Sequence, residues 1–344
     1  MKGIFLSLFL TTTLLLSVTA TPTARPATDT TPPLMNSVAE APIFIGAGDI
    51  GSCPRNNQGK YLFQGTKAEA TAKRVATLLP ADPNMGVVFI AGDNAYGQGT
   101  KKQYAECYHP TWGRFRDRTR PVPGNHEYIR DNRPQSTWYA KDYFDYFGEE
   151  RAGKRFEGYY SYNLGEWHIV ALNSELRDTQ QFKHMTKQKN WLREDLNNNK
   201  RPCTLAYWHR PVFSSGEHGA GQTTPGIERT MQNVWRILDE MGVDVVINGH
   251  DHHYERFNAQ DADRNADPNG IVEFVVGTGG IGLRDEEIPP RNRRNSAAFD
   301  KYTWGVLKLT LHPTSYDFEF IPVSSRKPGP MFGDKSSSPV SCVE

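Results

Sequence analysis

Short apolar runs alternate with amphipathic segments through the first two thirds of the chain. Ile43–Ile45 and Val87–Ile90 are short apolar runs, which are typical of buried strands. Between them, Thr66–Leu79 repeats apolar residues at the spacing of a helix. The alternation continues with apolar runs at 167–172, 204–208 and 243–247 and with helical patterns at 181–196 and 227–241. This order of strands and helices predicts an α/β fold.

The last third of the chain has a different pattern of apolar segments. Three apolar runs, at 271–276, 304–311 and 315–321, follow one another without helical patterns between them. We expect these runs to be strands as well. A layered α/β sandwich of two packed sheets accommodates both halves of the chain.

The two ends lack such patterns. Residues 1–20 begin with Lys2, continue with an apolar stretch and end at Ala20, which predicts a secretory signal peptide. A membrane anchor is the alternative, but the stretch is shorter than the ~20 apolar residues that span a bilayer. Residues 21–42 predict a disordered linker and 326–344 a C-terminal tail, leaving one domain at 43–325. We therefore expect a secreted or periplasmic protein with no membrane anchor after cleavage.

The composition permits an ordinary globular core and excludes a strong overall field. Of the 344 residues, 37% are apolar, and 40 Lys and Arg residues balance 39 Asp and Glu residues. With charges so nearly balanced, the chain has no net positive charge large enough to attract it to nucleic acid or to an anionic membrane. Recognition of a charged ligand would therefore depend on a local site, and nothing in the sequence predicts an oligomeric state.

Polar side chains that can bind metals follow the carboxyl ends of the predicted strands. This edge is where residues distant in sequence converge in open α/β sheets. Four of the five follow a glycine, which permits a sharp turn at the strand end. The five residues are Asp49, Asp93, Asn125, His209 and His250.

The mixture of carboxylate, amide and imidazole donors restricts the metal. It suits ferric iron and intermediate divalent ions better than calcium, which prefers oxygen alone. More than four such donors imply two ions. Two metals ~3.5–4 Å apart are an established arrangement for hydrolysing phosphate esters.

The cysteines predict two disulfides. Their number is four, the predicted compartment is oxidising, and no Cys-x-x-Cys pair supports the alternative of a zinc site. Cys53 and Cys107 both lie on loops after strand ends that carry metal-binding residues, whereas Cys203 begins a strand at the opposite edge. Geometry therefore predicts the pairs Cys53–Cys107 and Cys203–Cys342.

Five sequence blocks between Ile45 and His252 resemble a known family. They are Gly48-Asp49-Ile50-Gly51, Gly92-Asp93-Asn94-Ala95-Tyr96, Gly124-Asn125-His126-Glu127, Trp208-His209-Arg210-Pro211 and Gly249-His250-Asp251-His252. Their order is similar to that in the calcineurin-like metallophosphoesterases, in particular the purple acid phosphatase branch. The resemblance implies a four-layer α/β/β/α metallophosphoesterase sandwich. It also implies hydrolysis of small phosphorylated substrates, as an acid phosphatase-type phosphomonoesterase, with a phosphodiesterase or a non-catalytic phosphate-binding protein as alternatives.

The resemblance also assigns the metal ligands. The bridging ligand is Asp93; the first metal is bound by Asp49, Tyr96 and His252, and the second by Asn125, His209 and His250. The implied pair is Fe³⁺ with a divalent ion, either Zn²⁺, Fe²⁺ or Mn²⁺. Tyr96 is expected as a phenolate ligand to ferric iron; the alternative is a rim residue beside two divalent ions.

Two further histidines are expected at the site on the same resemblance. His126 is expected to contact the phosphate or leaving group, oriented by the adjacent Glu127. His218 is similar to a phosphate-facing histidine of purple acid phosphatases, with an ordinary surface histidine as the alternative. Arg210, which follows a ligand, is expected to pair with an acidic residue on the rim. Plant-type relatives carry a preceding β-sandwich domain, for which the segment after the predicted signal peptide is too short.

Overall fold

The structure, a computed structural model, describes residues 40–129, 140–177, 184–218, 227–284 and 294–343. The predicted signal peptide and all of the predicted linker before residue 40 lie outside these ranges. Among the described residues, no helix combines the length and apolar character needed to cross a bilayer.

Fourteen strands and seven α-helices are formed by the described residues. The strands are β1 Ile43–Ala47, β2 Gly86–Ala91, β3 Thr119–Val122, β4 Tyr160–Leu164, β5 Trp167–Ala171, β6 Cys203–Tyr207, β7 Val245–Asn248, β8 Tyr254–Phe257, β9 Val272–Val276, β10 Ser296–Asp300, β11 Thr303–His312, β12 Ser315–Ser325, β13 Asp334–Lys335 and β14 Val340–Ser341. The helices are α1 Lys67–Leu78, α2 Lys101–Gln103, α3 His109–Thr111, α4 Lys141–Phe147, α5 Glu149–Ala152, α6 His184–Asn198 and α7 Ile227–Glu240. Short 3-10 turns include Asn125–Glu127, which follows β3.

The strands form two sheets of seven. The first has the order β13-β12-β11-β1-β2-β3, with β14 also paired to β12, and its β1, β2 and β3 run parallel. The second has the order β10-β8-β9-β7-β6-β5-β4, in which β5, β6, β7 and β9 run parallel. The alternation of apolar runs and helices predicted β1, β2, β5, β6 and β7, and β9 is the first of the three runs expected in the last third of the chain.

The two sheets pack face to face, and helices cover their outer faces. Phe44 of β1 stacks on Phe89 of β2 with ring centroids 4.7 Å apart, and Tyr207 of β6 meets Phe44 at 5.6 Å. On the outer face of the second sheet, Trp208 packs against Trp235 of α7. Helix α1, capped by the Thr66 hydroxyl, packs on β11 and β12 of the first sheet. The four-layer α/β/β/α prediction is confirmed.

The apolar runs in the sequence predicted the central strands and helices correctly but did not predict several short strands. The helix expected at 66–79 is α1, and the strand expected at 204–208 is β6, shifted by one residue. Strands β8 and β10 were not expected, because each is short and mixes polar with apolar residues. The segment predicted as a C-terminal tail adds β13 and β14 to the first sheet, since backbone pairing does not require an apolar pattern.

Candidate metal centre

The residues expected to bind metals gather where strand ends of both sheets meet. Asp49, Asp93 and Asn125 follow β1, β2 and β3 of the first sheet, while His209 and His250 follow β6 and β7 of the second. Asp93 Oδ1 lies 3.4 Å from His209 Nε2, so the two sheets contact each other through these side chains. The strand-end argument from the sequence therefore predicted a real cluster.

One group of donor atoms surrounds the Tyr96 hydroxyl. Its oxygen lies 2.5 Å from Asp49 Oδ1 and 2.8 Å from Asp93 Oδ2. His252 Nε2 is 3.2 Å from the same hydroxyl and 3.4 Å from Asp49 Oδ1. Two carboxylates, a phenol and an imidazole thus converge on one small volume.

A second group surrounds His209 Nε2. That atom lies 3.0 Å from Asn125 Oδ1, 3.1 Å from His250 Nδ1 and 3.4 Å from Asp93 Oδ1. Asp93 therefore places one carboxylate oxygen in each group. Every residue of the predicted ligand set falls into one of the two groups, in the same division that the family resemblance implies.

The backbone is strained at three of these positions. Asp49, Asp93 and His250 have φ of 63°, 49° and 69°, a left-handed region that non-glycine residues seldom occupy. The expectation that the preceding glycine makes the sharp turn holds only for Gly92, which has φ of 82°. Gly249 is required for a different reason: the backbone there approaches Ala91 so closely that an added Cβ would lie 2.5 Å from the Ala91 carbonyl oxygen.

Backbone carbonyls hold two of the imidazoles. His209 Nδ1 lies 2.9 Å from the Ala91 carbonyl oxygen, and His252 Nδ1 lies 2.9 Å from that of Gly282. A carbonyl only accepts, so each Nδ1 carries the proton and each Nε2 presents its lone pair to the donor groups. Such a contact fixes the orientation of an imidazole whose Nε2 is to bind a metal.

The centre concentrates negative charge out of contact with water. Burial and the carboxylates of Asp49 and Asp93 raise the pKa of Tyr96 well above its usual value. Burial opposes ionisation of Asp93 as well, but the neighbouring His209 keeps the pKa of Asp93 below its usual range. Buried carboxylate oxygens and imidazole nitrogens at one point suit a metal cation.

One contact of His250 does not suit a cation. Arg210 Nη1 lies 2.9 Å from His250 Nε2 and can only donate, so Nδ1 carries the proton in this arrangement. A cation at Nδ1 would require Arg210 to turn away from this ring. Arg210 also pairs with Glu175 at 2.8 Å through Nε, as the sequence predicted for a rim residue.

His126 stands at the edge of the centre. Its side chain is 27% exposed, its Nδ1 lies 2.7 Å from the Gly97 carbonyl oxygen, and its Nε2 lies 3.8 Å from Asp93 Oδ2. The ring is therefore held by Gly97 with Nε2 facing the carboxylates. This accessible nitrogen is placed to exchange a proton with a molecule bound at the centre.

The expectation that Glu127 orients His126 is wrong. Glu127 is buried and accepts hydrogen bonds from the backbone N–H groups of Gly124, Asn94 and Ala95 at 2.8, 3.0 and 3.3 Å. Consecutive residues of a 3-10 turn point in different directions, so the two side chains diverge. Burial and the charge of Asp93 raise the pKa of Glu127 to about 8.

His218 lies beside the second donor group. Its ring packs on that of His250 with centroids 4.2 Å apart, and its Nδ1 lies 2.8 Å from Asp251 Oδ1. Burial favours the neutral form of Asp251, but hydrogen bonds from His218 and Ser214 lower its pKa to about 2. The carboxylate fixes the His218 tautomer with the proton on Nδ1. Sequence reasoning assigned no role to Asp251, although it stands between two predicted ligands.

Both predicted disulfides are present. Cys53 pairs with Cys107 and Cys203 with Cys342, and the four cysteines are all used. Cys203 and Cys342 also lie near Asp244 in a cluster with the spacing of a metal site, but their sulfur atoms are joined to each other. They therefore offer no thiolate to a metal.

Comparison with known proteins agrees with the geometry. Residues 44–254 match the family model described as calcineurin-like phosphoesterase. Purple acid phosphatase 15 of Arabidopsis thaliana is 29% identical over 61% of this chain and 42% of its own length. Probable inactive purple acid phosphatase 1 of the same plant is 26% identical over 81% of this chain and 46% of its own length.

A solved structure shares the fold. The purple acid phosphatase from yellow lupin (Lupinus luteus) seeds superposes with a TM-score of 0.61 at 20% identity, covering 86% of this chain and 53% of that one. This chain spans about half the length of the curated relatives that it matches. The matched region contains all five candidate residues at the strand ends, and the chain belongs to the calcineurin-like phosphoesterase family, in its purple acid phosphatase-like branch.

Proposed function

We propose that this protein is a metal-dependent phosphoric ester hydrolase with a dinuclear centre, of the acid phosphatase type that cleaves phosphomonoesters. The observation that carries the proposal is the division of the donors into two groups that share Asp93. Asp93 Oδ2 lies 2.8 Å from the Tyr96 hydroxyl, and Asp93 Oδ1 lies 3.4 Å from His209 Nε2. One carboxylate is thus placed to bridge two ions.

The distances between the donor atoms divide the residues between two ions. One ion would be held by Asp49, Tyr96 and His252, the other by Asn125, His209 and His250, with Asp93 shared. Two bound ions would supply charge neutralisation for the phosphoryl group and an activated water at neutral pH. Tyr96 favours ferric iron at the first position, because its raised pKa demands a strongly Lewis-acidic ion to displace the phenolic proton.

Two histidines outside the proposed ligand set, His126 and His218, are placed to donate protons or hydrogen bonds to the substrate. His126 Nδ1 donates to the Gly97 carbonyl, so Nε2 faces the centre and can donate a proton to the departing alcohol oxygen when the ring is charged. His218, held by Asp251 through Nδ1, has its ring beside that of His250, and its Nε2 can donate to a phosphate oxygen when the ring is charged. Neither role requires movement of the strands that carry the ligands.

A comparison of mono- and diesters tests the reaction type. The metal-loaded protein should hydrolyse p-nitrophenyl phosphate with a kcat/KM well above that for bis(p-nitrophenyl) phosphate. A reversed preference would identify a phosphodiesterase on the same centre. Metal analysis of the same sample should find two ions per chain.

A non-catalytic phosphate-binding role is the alternative from another class. One relative carries the name probable inactive purple acid phosphatase, so the branch includes proteins that are named as lacking activity. Here each of the seven ligand positions has a side chain that can bind a metal, which supports catalysis. Failure of a fully metallated sample to turn over any phosphate ester would favour the non-catalytic role.

Secretion or a periplasmic location is part of the same proposal. Two disulfides form and persist in oxidising compartments, and the structure contains both. N-terminal sequencing of the protein recovered from its native compartment should begin after Ala20. Detection of residues 1–20 on the mature protein would contradict the predicted cleavage.

A further inference from the structure

An open cleft of about 530 Å³ adjoins the proposed metal centre. Its walls come from the loop after β1, from the loop after β2 and from Ile281. Tyr96 belongs to both places: it lines the cleft, and its hydroxyl bonds to Asp49 and Asp93. Gly97 also lines the cleft, and its carbonyl holds His126. A phosphoryl group at the metals would therefore have its leaving group near this cleft.

Arg55 supplies the cleft with a positive charge. Its guanidinium lies over the Tyr61 ring, 4.5 Å from the centroid, and one of its N–H groups donates to the Tyr61 hydroxyl. Within the part of the chain that the structure describes, no carboxylate lies within ion-pair distance of Arg55. Arg210 and Arg284, by contrast, pair with Glu175 and Glu217 at 2.8 and 2.9 Å. Arg55 thus keeps donors and charge for an anion.

The loop that carries Arg55 is fixed in place. Cys53 is bonded to Cys107, the backbone N–H of Tyr61 donates to Glu106 Oε2 at 3.1 Å, and Lys102 Nζ donates to the Gly59 carbonyl at 3.0 Å. These three links fasten the loop to residues 102–107. The Tyr61 side chain that supports Arg55 is itself buried. A pre-positioned guanidinium binds an anion at a lower entropic cost than a mobile one.

We propose that the cleft binds the leaving group of the substrate and that Arg55 selects phosphomonoesters whose leaving group carries a second anionic group. The inference rests on the proposed phosphoesterase function. Ser52 and Gln98, which also line the cleft, suit a hydrophilic leaving group rather than an apolar one. Because the chain has almost no net charge, attraction of a second anion depends on this local cation.

Two substrates that differ by one carboxylate test the inference. For Arg55→Gln, the ratio of kcat/KM for 4-carboxyphenyl phosphate to kcat/KM for phenyl phosphate should fall about tenfold from the wild-type ratio, the scale of one charged hydrogen bond. Arg55→Lys should restore part of the ratio, because charge remains while the guanidinium geometry is lost. Arg193→Gln, a surface arginine of α6 paired with Glu240, is the matched control and should leave the ratio unchanged.

The outcomes separate the two proposals. Turnover of phenyl phosphate with an unchanged ratio in Arg55→Gln overturns the selectivity inference and leaves the phosphoesterase function intact. Equal loss for both substrates, with an unchanged thermal midpoint, also overturns it, because Arg55 would then act on the phosphoryl group common to both. Absence of turnover of both substrates by the metal-loaded wild type overturns the proposed function and the selectivity inference with it.

Discussion

Strained backbone marks the residues proposed to carry the chemistry. Asp49, Asp93 and His250 are three of the seven described non-glycine residues with positive φ. Such conformations cost of order 1–3 kcal/mol each and persist only where surrounding contacts enforce them. Here the contacts include the His250 N–H, which donates to Asp49 Oδ2 at 2.8 Å, and the His126 N–H, which donates to Asp93 Oδ1 at 2.8 Å. The strain aims ligand side chains from separate strands at one point.

Asp93→Asn should abolish turnover and remove at least one metal ion per chain. A bridging ligand needs two anionic oxygens, and an amide provides a single neutral acceptor. Metal content measured by mass spectrometry and hydrolysis of p-nitrophenyl phosphate give the result. Asp117→Asn, at a side chain 90% exposed, is the control. Near-normal turnover with two ions bound would show that Asp93 is not the bridge.

His126→Ala should retain both ions and slow turnover by ~10²–10⁴-fold, the range for a removed general acid. The imidazole touches the Gly97 carbonyl and faces the centre without being among the assigned ligands. The rate should fall more for substrates with poor leaving groups than for p-nitrophenyl phosphate. An emptied metal site would identify His126 as a ligand instead.

Tyr96→Phe should remove a visible absorption band while leaving the fold intact. A phenolate bound to ferric iron absorbs in the visible, and the Tyr96 hydroxyl lies among Asp49, Asp93 and His252. The spectra of wild type and variant, both purified without chelators, are compared directly. A colourless, active and iron-free wild type would rule out the phenolate and leave the phosphoesterase proposal standing.

At the scale of elements, the C-terminal segment is anchored by more than its disulfide. Strand β14 pairs with β12, Cys342 bonds to Cys203 at the start of β6, and the Val343 N–H donates to Asp244 Oδ1 at 2.6 Å. Asp244 also accepts the Thr204 N–H at 2.7 Å. One buried carboxylate therefore links the last residues of the chain to the second sheet.

The stability of the protein should lose a contribution from Asp244 as the pH rises. Burial raises the pKa of Asp244 to about 6, above its ordinary value of 3.8. The folded state therefore binds the proton more tightly, and the stabilisation present below pH 4 is lost by about pH 7. Two pKa units correspond to ~2–3 kcal/mol.

Asp244→Asn isolates this contribution, because asparagine does not titrate. The free energy of unfolding of the wild type in urea, relative to that of Asp244→Asn, should decrease between pH 4 and pH 7. Asp263→Asn, at an exposed position, should show no such change relative to the wild type. A pH-independent difference between wild type and Asp244→Asn would mean that the carboxylate is not perturbed in the folded protein.

For the whole molecule, the proposed metals would join the two sheets. Asp49, Asp93 and Asn125 come from the first sheet, and His209 and His250 come from the second. Ions bound across this junction would stabilise the native state by their binding free energy. Cys203 lies at the start of β6, at the opposite end of the strand from His209, so the effect of the Cys203–Cys342 disulfide on stability is separate from that of the metals.

Removal of the metals should therefore abolish activity and lower the thermal midpoint by roughly 5–10 °C, the effect of a ligand present at about a hundred times its Kd. Differential scanning calorimetry before and after dialysis against a chelator measures the shift. Dialysis against the same buffer without chelator is the control. An unchanged midpoint in a sample shown to be metal-free would argue against ions at the sheet junction.

The sequence by itself determined the α/β sandwich, its central strands and the residues at the ends of those strands. Apolar runs bury and pair wherever they occur, so β1, β2, β6 and β7 were predictable. The residues that follow parallel strands share an edge whatever their distance in sequence, so five of the seven proposed ligands could be named from the sequence, and Tyr96 and His252 were added by the family resemblance. The two disulfides followed from the same assignment of edges.

Only the tertiary structure decided which side chains contact one another around that set. Glu127 accepts hydrogen bonds from three backbone N–H groups, and His218 bonds to Asp251. Arg55 lines the cleft and has no carboxylate within ion-pair distance among the residues that the structure describes. These contacts join loops that follow different strands. Periodicity along the chain records which face of an element is buried, but the approach of two loops depends on how the sheets pack, and no local pattern encodes it.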